Sequence, residues 1–122
     1  MENAQLKIFR PFGPPIARIK IPEKILDELN NYVDQIIIDK EKSKNLNWGN
    51  KLIGDVTQEI KIEQDIAKKI GWLDFLAKCS AKYVETITNQ QVKQFVLLES
   101  WIVRQFENEY NPVHFHGGHI SG

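Results

Sequence analysis

A chain of 122 residues is long enough for one domain with a real core, hiding roughly two-thirds of the surface it exposes when unfolded. Sixteen Lys and Arg balance sixteen Asp and Glu, so the formal net charge is zero and no polyanion-binding field results; nucleic acid is not the expected partner. The apolar share of 42% is that of an ordinary soluble domain, no run approaches the ~20 apolar residues that span a bilayer, and the single cysteine, Cys79, cannot form an intrachain disulfide, which suits a reducing, cytoplasmic setting.

The N-terminus, Met1-Glu-Asn-Ala-Gln5, lacks the basic and then apolar order of a secretory signal. Residues 6–9 are short and apolar-rich, and Pro11, Gly13, Pro14 and Pro15 stop whatever element they form. From 16 to 21 the chain alternates, with Arg18 and Lys20 on one face and Ala17, Ile19 and Ile21 on the other, which predicts a half-buried strand. Pro22 and Glu23 suit a helix start, and Ile25, Leu29, Tyr32, Val33 and Ile36 recur at helical spacing, predicting a helix over 22–38.

Residues 39–50 are polar and read as a loop, with Trp48 pinning it to the body. Residues 56–62 alternate again: Val56, Ile60 and Ile62 inside, Thr57, Glu59 and Lys61 outside, with Gln58 interrupting the apolar face. Helical spacing returns from 64 to 88 along Ile66, Ile70, Leu73, Ala77, Ser80, Val84 and Ile87, with Gly71 dividing it. Cys79 lies beside this stripe and reads as a packing residue.

Residues 95–106 form the strongest strand candidate, apolar on both faces and therefore central. Its charged positions are Glu99 and Arg104. For Glu99, pairing with Arg104 or Lys93 is favoured over a role as acid, base or ligand; for Arg104 a structural role is likewise favoured over meeting a carboxylate substrate or cosubstrate bidentately. A turn over 108–112 then leads to the histidine segment, implying a hairpin. The predicted fold is a single α+β domain over 1–122, with N-terminal helices packed on an antiparallel sheet.

All three histidines lie in the last nine residues: His114, His116 and His119. On a strand, His114 and His116 project from one face, so both imidazoles aim at one spot, a good start to a transition-metal site. Metal binding is favoured over a flexible His- and Gly-rich tail, because two charged imidazoles so close would repel. His119 has the wrong parity for that face unless Gly117-Gly118 bulges the strand, and is not expected to be a ligand.

The stretch Glu99-Ser-Trp101-Ile-Val-Arg-Gln-Phe-Glu-Asn-Glu-Tyr110-Asn-Pro-Val-His114-Phe-His116-Gly-Gly-His-Ile-Ser121-Gly122 resembles the 2-oxoglutarate/Fe(II)-dependent oxygenases common in marine phages and bacteria. There a Trp-containing strand leads through a Tyr and a turn to His-x-His and then a Ser-Gly. Residues 52–59 are similar more weakly. The resemblance implies a double-stranded β-helix, or jelly roll, preceded by an α/β region, with Fe(II), 2-oxoglutarate and O₂ as reactants and hydroxylation as the outcome. It implies His114 as the first iron ligand, with His116 where the superfamily usually carries a carboxylate, and Tyr110 lining the cosubstrate pocket. It also implies five or six further strands bearing a distal His and a basic anchor for 2-oxoglutarate. On this reading the chain is an N-terminal fragment, truncated within the jelly roll and inactive alone. Its last strand is an edge prone to homo-oligomeric association.

Two other readings stand beside this one. A cupin-like metal protein also uses His-x-His, but its following Glu is replaced here by Ile120 or Ser121. A non-enzymatic interaction protein, such as a phage accessory protein, would use the histidines only for packing. The substrate class is open between protein side chain, nucleobase and small metabolite.

Overall fold

The computed structural model describes residues 5–49 and 56–122. The first elements are strands β1 (Lys7–Phe9) and β2 (Ile16–Arg18), paired antiparallel across the proline-rich turn with Ile8 opposite Ala17. The Tyr83 hydroxyl donates to the Pro15 carbonyl at 2.6 Å and ties this hairpin to a later helix.

Helix α1 (Glu23–Ile38) follows Pro22 and buries Leu29, Val33 and Ile36, the stripe its spacing predicts. The next segment departs from expectation. The region read as a loop contains helix α2 (Lys40–Leu46). Its sequence has no apolar stripe, so hydrophobic periodicity is silent there. What starts it is Asp39, whose Oδ1 accepts from the Glu41 and Lys42 backbone N–H groups, both at 3.1 Å.

After α2 the chain is latched to strand β3 (Gln58–Lys61). The Asn47 amide donates to the Thr57 carbonyl at 3.0 Å, and its Oδ1 accepts from Gly49 N–H at 3.0 Å and Glu59 N–H at 3.2 Å. The Trp48 N–H donates to the Glu59 carbonyl at 2.8 Å, a backbone bond that ties this segment to β3. The approach needs glycine at 49: a Cβ there would stand 2.5 Å from the Val56 carbonyl oxygen. Residues 50–55, which include the end of the predicted loop and part of the weaker family similarity, lie outside the described residues.

Helices α3 (Gln64–Lys69) and α4 (Trp72–Thr88) divide at Gly71, where φ is +84°, a conformation open to glycine without steric cost. Strand β4 (Trp101–Arg104) then pairs antiparallel with β3, placing Gln58 opposite Arg104, Glu59 opposite Val103, Ile60 opposite Ile102 and Lys61 opposite Trp101.

The predicted strand over 95–106 shrinks to these four residues. Its central position is corrected too: among the described residues β4 pairs with β3 alone, and Val96 and Leu98 stand 62% and 66% exposed. Apolar residues on both faces do not make a strand central without a neighbour on each edge. The predicted hairpin is likewise absent, because residues 111–122 form no ladder among the described residues.

The fold is α+β, with four helices and two small antiparallel sheets among the described residues. One face of the β3–β4 pair meets the helices. Ile60 packs with Val33 and Ile36 of α1, and Ile102 lies against them. Ile62 packs with Leu29 and Ala67. Gln58 shares that face, as its alternation predicts, and its Oε1 is buried without a hydrogen-bond partner. No helix among the described residues is long and apolar enough to cross a membrane.

Candidate metal centre

Alternation along β3 and β4 gives the sheet a second face, bearing Glu59, Lys61, Trp101 and Val103. The chain returns over this face through a turn held by one carboxylate. The Glu109 N–H donates to the Phe106 carbonyl at 3.0 Å, and Asn108 takes a positive φ of 65°. Glu109 Oε1 accepts from the Thr57 hydroxyl at 2.6 Å and the Thr57 N–H at 3.2 Å, while Oε2 accepts from the Phe106 N–H at 2.9 Å. The Thr57 hydroxyl, followed by the Phe106 N–H, pulls the Glu109 carboxyl below the usual glutamate range.

The turn delivers the histidines to the second face. The His116 ring lies 5.1 Å from the Trp101 ring, tilted by 45°. The His114 Nδ1–H donates to the Pro112 carbonyl at 2.7 Å. A carbonyl only accepts, so the proton sits on Nδ1 and the Nε2 lone pair is left free. That Nε2 stands 3.0 Å from His116 Nε2, with the rings at 89°. Val113 and Phe115, the alternate residues, are fully open to solvent. The two imidazoles therefore converge although no sheet imposes it. The Pro112 carbonyl and the Trp101 ring set them instead.

This geometry suits a shared ion. Two imidazole nitrogens at about 2.1 Å and 90° from one ion stand about 3.0 Å apart. An Nδ1–H on a backbone carbonyl is also the usual support for an Nε2 ligand. The same separation suits an N–H···N hydrogen bond, so the pair holds together with or without a metal. Among the described residues no three His, Cys, Asp or Glu side chains are gathered closely enough to hold an ion.

The other residues singled out from the sequence lie apart from this pair. Arg104 projects from the helix face of β4. Its Nη1 donates to Asp34 Oδ1 at 2.7 Å, and its Nη2 donates to the Asn30 carbonyl at 3.1 Å and to Asn30 Oδ1 at 3.3 Å. Arg104, the candidate for binding a carboxylate, is engaged within the fold: its guanidinium clamps α1 to the sheet on the side away from the histidines. Glu99 is exposed and pairs with neither Arg104 nor Lys93. Tyr110 directly follows Glu109 and is 57% exposed. His119 is exposed and makes no hydrogen bond or ring contact with the other two histidines. Cys79 is half-buried, and burial raises its thiol pKa, in keeping with packing.

Glu59 is the residue that sequence reasoning missed. Burial raises its carboxyl pKa, and His114 and His116 partly offset that rise. Alternation placed Glu59 on the outer face of its strand, but a single strand's pattern does not reveal which later segment covers that face. Comparison with known protein families, with curated proteins and with solved structures finds no match.

Proposed function

We propose that this chain is the N-terminal part of a cytoplasmic 2-oxoglutarate- and Fe(II)-dependent dioxygenase, with His114 and His116 holding the iron. The observation that carries this reading is the pair of Nε2 atoms 3.0 Å apart, with His114 fixed by its Nδ1–H on Pro112. The resemblance of residues 99–122 supplies the reaction class, with 2-oxoglutarate as cosubstrate. On this reading β3 and β4 begin the double-stranded β-helix, and the remaining strands belong to sequence beyond Gly122.

Bound iron would supply the redox chemistry by which O₂ hydroxylates a substrate. The chain's own part is to aim two imidazole nitrogens at one point. Pro112 selects the tautomer of His114, Trp101 buttresses His116, and Glu109 holds the turn that brings both to the sheet. Arg104 does not fit as the anchor for the 2-oxoglutarate carboxylate, because Asp34 and Asn30 engage it on the opposite face.

The test is Fe(II)-dependent consumption of 2-oxoglutarate by the polypeptide extended past Gly122. His114→Ala is expected to reduce turnover by more than about a hundredfold, since even the partners of a metal ligand are worth up to that much. No turnover by the extended protein, or an unchanged rate in His114→Ala, rejects the reading. A non-enzymatic role gains ground from the fact that the two rings satisfy each other without an ion. Normal imidazole titration in a protein purified metal-free would favour it.

A further inference from the structure

The open face of the β3–β4 pair brings a carboxylate to the histidines. Glu59 stands opposite Val103, and Trp101, two residues along β4, projects from the same side. Trp101 carries the His116 ring, so Glu59 and the imidazole pair share one side of the sheet. Both imidazoles lie near enough to act on the Glu59 carboxyl electrostatically.

The Glu59 backbone is fixed on both sides of the residue. Its N–H donates to Asn47 at 3.2 Å, and its carbonyl accepts from Trp48 at 2.8 Å. Its carboxylate, only partly exposed, accepts no hydrogen bond from any described residue. A half-buried carboxylate without a donor ordinarily finds one or meets a cation. On the same side of the sheet lie two imidazoles whose Nε2 atoms already stand at the spacing of neighbouring ligands on one ion. Two imidazoles and one carboxylate form the donor set of octahedral iron(II) sites and of many zinc sites.

The imidazole half is preset and the carboxylate half is not, because the three groups do not yet surround one point. Glutamate has three side-chain torsions, so a change of rotamer redirects the carboxylate while the strand stays anchored. We propose that Glu59 is the carboxylate arm of the His114–His116 centre and swings onto a divalent cation held by the two imidazoles. This rests on reading the histidines as an ion-binding pair.

The experiment titrates the 122-residue chain with Zn²⁺ by calorimetry and with Co²⁺ by visible absorption, which reports the ligand set. Glu59→Gln is expected to weaken Zn²⁺ binding at least about tenfold and to change the Co²⁺ spectrum. Lys61→Gln, on the same face, is expected to change neither. Thermal unfolding without metal checks that each variant folds. If Glu59→Gln does not fold, Glu59→Asp, which keeps the charge on a shorter arm, is expected to bind more weakly with an altered Co²⁺ spectrum. Wild-type affinity and spectrum in the folded Glu59 variant, with binding lost in His114→Ala, would overturn the role of Glu59 and leave the imidazole pair standing. No binding by the wild-type chain, or unchanged binding in both His114→Ala and His116→Ala, would overturn the ion-binding pair itself.

Discussion

At the scale of single residues, two glutamates show how position decides chemistry. Glu59 is partly withdrawn from water, with no hydrogen-bond donor to its carboxylate among the described residues, and its pKa rises. Glu109, also partly exposed, accepts three hydrogen bonds on its carboxylate, and its pKa falls. A carboxyl with a depressed folded pKa stabilises the fold above its unfolded pKa, and that contribution disappears as pH falls through the folded value. Glu109→Gln is therefore expected to lower the denaturation midpoint at about pH 7, with the gap from wild type closing in acid below the folded value. Urea unfolding followed by fluorescence across that range is the measurement; a gap independent of pH would show that the carboxylate charge is not what holds the turn. The sequence displayed the His114–His116 pair because both residues sit within one short segment. It hid Glu59 because the segments that meet there are separated by more than fifty positions.

Elements differ in how openly the sequence announces them. Helices α1, α3 and α4 follow from periodic apolar residues, and their division at Gly71 follows from a residue suited to a left-handed backbone. Helix α2 has no buried residue, so the rule that found the others is blind to it. Its start depends on a polar side chain, which points to a specific weakness. Asp39→Ala removes the acceptor for Glu41 and Lys42 and is expected to destabilise α2 by about 1 kcal/mol. Amide hydrogen exchange should quicken in the first turn of α2 while α1 is unaffected; unchanged protection at residues 41 and 42 would contradict the assignment. Strand β4 errs the other way. Its flanks look like a long central strand, but strand order depends on partners that a local pattern does not contain.

For the molecule as a whole, the described core lies on one side of the β3–β4 sheet, under α1 and α3. The other side is covered more sparsely, and large apolar residues gather in the C-terminal third. Val96, Leu98, Phe106, Val113 and Phe115 are all more than half exposed. Apolar side chains exposed in this number favour association where they adjoin one another. The isolated chain is expected to self-associate with rising concentration, and Phe115→Asp to return it toward the monomer in sedimentation equilibrium. A wild-type chain that stays monomeric throughout would show that this surface is tolerated in water. The α+β class was legible because helix and strand periods differ. The packing of the histidine segment was not, since it depends on how the sheet pairs and not on any short stretch.

The hydrogen bond from Thr57 to Glu109 joins positions 52 apart. Closing a span of that length costs about 3.5 kcal/mol beyond a constant term, and nothing local repays it. The two imidazoles, two residues apart, meet locally, whereas their approach to the sheet face bearing Glu59 waits on β3 finding β4 and on the turn being tied down. A cation in the refolding buffer would find the imidazole pair early and the Glu59 carboxylate only after that long-range tie has formed.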